Sequence, residues 1–201
     1  MMDVDLYSDL TAERLRIFVA LLTKWNAAIN LVSATSLSDV WVRHVADSAQ
    51  LLALVPPGRK RWVDMGAGAG FPGAVVALIT ADTPDAVEMV LIESDQRKAV
   101  FLSNVSRETG VPMVIHAERI EQVPPQQADI VSARALAPLR KLCDFADRHL
   151  ATGGAALFPK GGQYDAEVVQ ARQAWAFDLE PHISTTDPTG TVLKLKDLRR
   201  V

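Results

Sequence analysis

The residues in this chain whose types and spacing could do chemistry lie in one run, Asp64-Met65-Gly66-Ala67-Gly68-Ala69-Gly70-Phe71-Pro72-Gly73. Glycines at alternate positions let the backbone take positive φ and approach a ligand closely, and a helix starting just after them would offer unpaired N–H groups. A dinucleotide fingerprint would place a third glycine three residues after Gly68. The chain has Phe71 there, so that pattern fails. A carboxylate at Asp64, two residues before the first glycine, repels a pyrophosphate but suits a ligand carrying an ammonium and a sulfonium. S-adenosylmethionine is such a ligand. Taken alone, the loop reads equally well as a glycine turn that only packs a helix on a sheet.

A second acid bears on that choice. Glu93 ends the apolar run Val90-Leu91-Ile92, 27 residues after Gly66, where a carboxylate can accept both hydroxyls of a ribose. This supports an adenosine-type ligand without choosing between cofactors. Elsewhere the chemistry-bearing residues are sparse. His44, His116, His149 and His182 are scattered without ligand spacing, and the single cysteine, Cys143, cannot build a zinc cluster, so no metal site is expected.

The elements that must position these residues belong to a chain of 201 residues, enough for one domain or one domain with a small helical extension. Hydrophobic residues make up 49% and charged residues 22%, which excludes a disordered chain. The longest uncharged stretch, around residues 65 to 81, is broken by glycines and a proline, so no membrane span is expected. The opening Met1-Met2-Asp3-Val4-Asp5 is acidic where a secretory signal is basic, and the expectation is a cytoplasmic protein. A net charge of −3 gives no global attraction to phosphate. An RNA partner would need local patches: Arg43-His44, Arg59-Lys60-Arg61, Arg97-Lys98, Arg140-Lys141, Lys160, and Lys194, Lys196, Arg199 and Arg200. Each of these singly also reads as a solvated face.

Thr11 is a candidate N-cap for a first helix, in which Leu15, Phe18, Val19, Leu22, Trp25 and Ile29 recur at helical spacing. After a loop around residues 33 to 35, Ser36 and Ser38 can cap a second helix with Trp41, Val45, Ala49 and Leu52 on one face, stopped by Pro56-Pro57-Gly58. Beyond that point short apolar runs at 62–63, 87–92, 112–115, 129–131 and 155–158 alternate with helical stretches. Runs at 181–184 and 191–195 around Pro188-Thr189-Gly190 read as a closing antiparallel hairpin. The pattern predicts an α/β fold: a Rossmann-like, mostly parallel seven-stranded sheet with a closing antiparallel hairpin, residues 1–57 as an N-terminal helical extension and 58–201 as the main domain.

In order along the chain, several of these residues resemble those of one family. They are Lys24-Trp25-Asn26 with Asn30-Leu31, Arg43-His44 with Asp47-Ser48, the Asp64 to Gly73 loop with its Phe71-Pro72-Gly73 ending, and Glu93-Ser94. Arg97-Lys98 with Phe101-Leu102, Ser132 with Arg134-Ala135, and Lys160-Gly161 complete the set. The chain is identified on these grounds as similar to the ribosomal RNA small subunit methyltransferase G family, also called glucose-inhibited division protein B. That resemblance implies a class I S-adenosylmethionine-dependent methyltransferase acting on N7 of a guanine in small-subunit ribosomal RNA; a monomer is expected.

Carried over by motif, the family's cofactor contacts fall at Gly66, Phe71, Arg119, Ile120 and Arg134; with the residue reading above, Asp64, Gly66, Gly68 and Phe71 would hold the methionine end, Glu93 the ribose, and Arg119 and Ile120 the adenine. Here Ala117-Glu118-Arg119-Ile120-Glu121 departs from the family's usual Gly-Arg-Ala-Glu-Glu, keeping only the last acid. Substrate contact would involve Arg43, His44, Arg134 and Lys160, with no catalytic acid or base. Asp47 lies one turn from Arg43, so it reads either as an ordinary i,i+4 surface pair or as part of a helix laid over the cleft. The acceptor assignment agrees with what is missing. No Asn/Asp-Pro-Pro-aromatic motif follows the run at 129–131, and Cys143 has no Pro-Cys or Thr-Cys setting. A small-molecule methyltransferase, a non-catalytic ribosome-binding module and, less well, a nicotinamide-dependent oxidoreductase remain the competing readings.

Overall fold

The computed structural model describes residues 7–58 and 60–201; Met1 to Asp5 and Arg59, used above, lie outside the described residues. Seven strands form one sheet in the order β3-β2-β1-β4-β5-β7-β6. They are β1 (Arg61–Met65), β2 (Glu88–Ile92), β3 (Met113–His116), β4 (Ala128–Ser132), β5 (Leu150–Lys160), β6 (Trp175–Ile183) and β7 (Thr191–Arg200). The first five run parallel, while β7 lies antiparallel to β5 and pairs with β6 as a hairpin. The order reverses between β1 and β4, and in open α/β sheets a ligand crevice opens at the strand ends where it does so.

The helices between strands are α4 (Gly73–Thr80), α5 (Gln96–Thr109), α6 (Leu139–His149) and α7 (Tyr164–Ala171). Strands covered on both faces carry continuous apolar runs, and β1, β2 and β4 are almost wholly buried. One core cluster joins α4 and α5 to the N-terminal helices through Phe18, Leu78, Phe101 and Leu102; the other joins α6, β5 and β7 through Leu142, Phe158 and Leu193.

Before β1 the chain is helical. Helix α1 (Asp9–Ile29) buries Leu15, Phe18 and Leu22, as its periodicity predicts. Its N-cap is Ser8 rather than Thr11: the Ser8 hydroxyl accepts the Thr11 amide at 3.2 Å, and Thr11 itself is buried one turn inside. Asn30 ends the helix in the left-handed region at φ 48°, and the Asn26 side chain accepts the Val32 amide at 2.8 Å. These two asparagines turn Leu31 and Val32 onto the wall of the cleft described below.

The second helix is not the single regular one that its spacing suggests. Ser33 caps a one-turn α2 (Ala34–Leu37), so the expected loop at 33–35 is instead a helix start. A π-helical turn (Trp41–Ala46) then passes through α3 (Asp47–Ala49) into a 3-10 turn (Gln50–Leu54). Val45 and Leu51 are its buried anchors, and Trp41, Ala49 and Leu52 pack partly against the same core.

Candidate functional site

The glycine loop leaves β1 at Met65 with Gly66, Gly68 and Gly70 all at positive φ, +66°, +57° and +91°. Two of them also have no room for a side chain. A Cβ on Gly66 would lie 2.6 Å from Leu136 Cδ1, and one on Gly70 would lie 2.9 Å from the Ala74 Cβ. Gly68 is different, since nothing comes closer than 3.7 Å to its Cβ position. Its N–H donates to Glu93 Oε2 at 2.9 Å, while Glu93 Oε1 accepts the Asp95 amide at 2.8 Å. The β2 acid is thereby fixed against the loop and still lines the cleft.

Asp64 does not face the ligand space, as the sequence reading had it. It is 1% exposed and absent from the cleft lining. Its Oδ2 accepts the Gly73 amide at 2.9 Å and its Oδ1 the Ser132 hydroxyl at 2.7 Å; Ser132 in turn accepts the Trp62 indole N–H at 2.9 Å. The cause is local: β1 and β4 pair Asp64 with Ser132, and Gly73 opens α4 directly behind the loop. A Cβ on Gly73 would lie 2.6 Å from the Asp64 Cβ, so only glycine fits against this acid. Burial raises the Asp64 carboxyl to about 6, offset in part by those two hydrogen bonds. The amide that opens α4, where a Rossmann dinucleotide enzyme seats its pyrophosphate, is thus already held by the chain's own carboxylate.

The loop and Glu93 form one side of a cleft of about 700 Å³. Arg119, Ile120, Leu136, Lys141 and Phe145 also line it. The Ile120 carbonyl accepts from His149 Nε2 at 3.1 Å, and the Val123 carbonyl from Arg148 at 3.1 Å, so the end of α6 pins this segment from behind.

Arg134 stands at the rim. Its Nη1 donates to the Arg43 carbonyl and to Asp47 Oδ2, both at 3.2 Å, and its Nη2 to His44 Nδ1 at 2.9 Å. The π-helical turn makes this possible. The Asp47 amide goes to the Val42 and His44 carbonyls, bypassing that of Arg43, which is left to accept the guanidinium. The i,i+4 pair Arg43–Asp47 is therefore not formed; Arg43 reaches toward Asp39 at 3.9 Å instead. Because arginine only donates, His44 Nδ1 is the acceptor and its proton sits on Nε2. Burial and the neighbouring guanidinium lower the His44 imidazole to about 4, keeping it neutral. Its ring stacks on Phe71 at 4.7 Å, and the Arg134 guanidinium lies 5.2 Å from the Phe71 centroid. Phe71 itself packs edge-on against Phe18 of α1, at 5.3 Å.

A second cavity, of about 410 Å³, shares Arg134 and Ala135 with the cleft and is bounded by Asp47, Lys160, Glu167, Ser184, Asp187 and residues 190–192. Lys160 is not a free cation there. Its ammonium donates to the Ala137 carbonyl at 2.9 Å and pairs with Glu167 at 2.7 Å.

This architecture has known counterparts. The model of the GidB family, rRNA small subunit methyltransferase G, matches residues 11–190. The chain belongs to this family. Proteins named "Ribosomal RNA small subunit methyltransferase G" from Cereibacter sphaeroides and Rhodospirillum centenum are 48% and 50% identical to it. The first alignment covers 95% of this chain and 93% of the relative, the second 94% and 85%. Among solved structures, TYW2 of P. horikoshii in complex with MeSAdo is similar with a TM-score of 0.57 at 15% identity. It is matched over 78% of this chain, which spans 62% of that one. A SAM-dependent O-methyltransferase of Thermotoga maritima has a TM-score of 0.56 at 14% identity, over 77% of this chain and 66% of that one; both show the shared fold. The protein is an S-adenosylmethionine-dependent methyltransferase with the Rossmann-like fold.

The cleft fits that cofactor by its donor set. One acid, Glu93, sits just beyond the β2 end, hydrogen-bonded to Gly68, where a carboxylate can accept ribose hydroxyls, and Arg119 and Ile120 line the same cleft. Sequence reasoning missed Leu136, which shuts the space above Gly66, and Gln50, whose contacts lie with the far end of the chain. Neither carries a local signal. Among the described residues no group of three or more His, Cys, Asp or Glu could hold a metal, and no helix is long and apolar enough to cross a membrane.

Proposed function

We propose that this protein transfers a methyl group to N7 of a guanine in small-subunit ribosomal RNA, acting as a cytoplasmic monomer. In this reading residues 58–201 are the catalytic domain and residues 1–57 an extension that helps hold the acceptor. The observation that carries the acceptor assignment is that the titratable side chains where the cleft meets the second cavity are already engaged. Arg134 is bound to Asp47 and His44, and Lys160 to Glu167. A neutral His44 whose free lone pair is taken by Arg134 is no general base.

Guanine N7 suits such a site, because its in-plane lone pair attacks without a proton having to leave. An exocyclic amine would need a proton acceptor, and a pyrimidine carbon a thiolate. Cys143 is fully buried with its thiol pushed up to about 12, so it supplies none. S-adenosylmethionine, when bound, supplies an electrophilic methyl on sulfonium. The chain's contribution is to place the partners in line and to face the cationic purine that forms with loop dipoles. Asp64, Gly66, Gly68 and Phe71 would hold the methionine end, the first from behind the loop; Glu93 the ribose; Arg119 and Ile120 the adenine. Arg134, Arg43, His44 and Lys160 would bound the acceptor side.

The test is incubation of small ribosomal subunits lacking the modification with radiolabelled cofactor. The expected label sits on a guanine and makes the strand cleavable by aniline after borohydride reduction, as N7-methylation does. Label on an exocyclic amine or a ring carbon, or turnover of a small molecule without RNA, would overturn the assignment.

A further inference from the structure

Resting on that reading, we infer that Gln50 is a positioning residue for the methyl acceptor. Its side-chain amide clasps the loop at 184–186, between β6 and β7, to Asp47, and so fixes the outer wall of the cavity beside the cofactor cleft.

The geometry is dense for one neutral side chain. Gln50 Nε2 donates to Asp47 Oδ1 at 2.7 Å and lies 3.2 Å from the Ser184 hydroxyl. Gln50 Oε1 accepts the Thr185 amide at 2.9 Å and the Thr185 hydroxyl at 3.2 Å. The Thr186 hydroxyl closes the ring on Asp47 Oδ1 at 2.8 Å. Inside the loop, the Ser184 hydroxyl accepts the amides of Thr186 and Asp187, each at 3.2 Å. The loop is thereby folded around Ser184, and Ser184 is held by Gln50.

The consequence reaches the cofactor rim. Asp47 offers one oxygen to this clasp and the other to Arg134, which the cavity and the cleft share. Ser184, Asp187 and Gly190 line the same cavity on its far side. Gln50 therefore sets the distance between the wall built from the end of the chain and the Arg134 side, and that distance must match a planar base presented to the cleft. Only an amide does this: it donates toward Asp47 while accepting from Thr185, which neither a carboxylate nor an apolar side chain can do.

The test measures methylation of small subunits by wild type, Gln50→Ala, Gln50→Glu, and Gln50→Glu combined with Asp47→Asn. Cofactor Kd is measured by calorimetry and Tm alongside. Gln50→Ala should raise the KM for subunits roughly tenfold, the scale of losing such hydrogen bonds, with cofactor Kd within about twofold of wild type. Gln50→Glu places a second carboxylate against Asp47 and should be at least as impaired. Asp47→Asn turns a donor toward it and should recover subunit KM relative to Gln50→Glu alone. Unchanged KM in Gln50→Ala, an equal loss of cofactor affinity, or no recovery in the double variant would each overturn the inference. If wild type itself labels no subunits, the functional reading fails instead, which keeps the two failures distinct.

Discussion

Asp64 shows how a single side chain can be read correctly as important and wrongly as exposed. Its place two residues before the first glycine suggested a charge facing a cationic ligand. The structure puts that charge behind the loop, where it holds the first amide of α4 and the β4 hydroxyl. Parallel register decides this: a side chain at the end of β1 meets its partner on β4, a pairing that no linear spacing reveals. Burial has an energetic consequence. The folded group keeps its proton up to about pH 6, whereas an ordinary aspartate releases it near 3.8, so the folded state binds more protons between these values. Stability from this group is full below about pH 4 and is lost as pH rises through about 6, a loss of about 3 kcal/mol. Asp64→Asn removes that dependence. Urea unfolding at pH 4.5 and pH 7 should show wild type losing stability relative to the variant as pH rises. Parallel behaviour of the two proteins would mean that Asp64 titrates normally.

At the scale of elements, the strands were legible and the second helix was not. Strands buried on both faces announce themselves as apolar runs, and β1, β2 and β4 fall where Trp62-Val63, Val87 to Ile92 and Asp129 to Val131 pointed. The π-helical turn left no such trace, because it serves a tertiary contact between the Arg43 carbonyl and Arg134, 91 residues on. A helix just after the loop could be expected from sequence, but the reason for glycine at its start could not. Gly73 has no room: an added Cβ would meet the Asp64 Cβ and Leu91 Cδ2, both at 2.6 Å. Gly73→Ala must therefore push α4 off β1. The expected cost is about 1–3 kcal/mol, as for other overpacked interiors, seen as a lower urea midpoint. Gly58→Ala is the control, since its Cβ position is open and only its φ of +82° opposes the change, at about 1 kcal/mol. Equal effects of the two substitutions would show that α4 can shift freely.

On the scale of the whole molecule, the cleft is assembled from parts that lie far apart in the chain. Leu31 and Val32 from the N-terminal layer, the glycine loop, the end of β2, the segment at 118–121 and the turn at 134–137 all face one space. A ligand filling it ties these parts together and binds only the folded state, so folding and cofactor affinity are linked. At a free concentration a hundred times its Kd, S-adenosylmethionine should stabilise the protein by about 2.7 kcal/mol, a rise in Tm of about 5–10 °C for a chain of this size. NAD should give no such rise. Its diphosphate needs the start of α4, and there the Gly73 amide is already bonded to a buried carboxylate whose charge opposes a phosphate. Thermal unfolding with each ligand in turn checks this. A shift with NAD equal to that with S-adenosylmethionine would mean that the Asp64–Gly73 bond does not exclude a diphosphate.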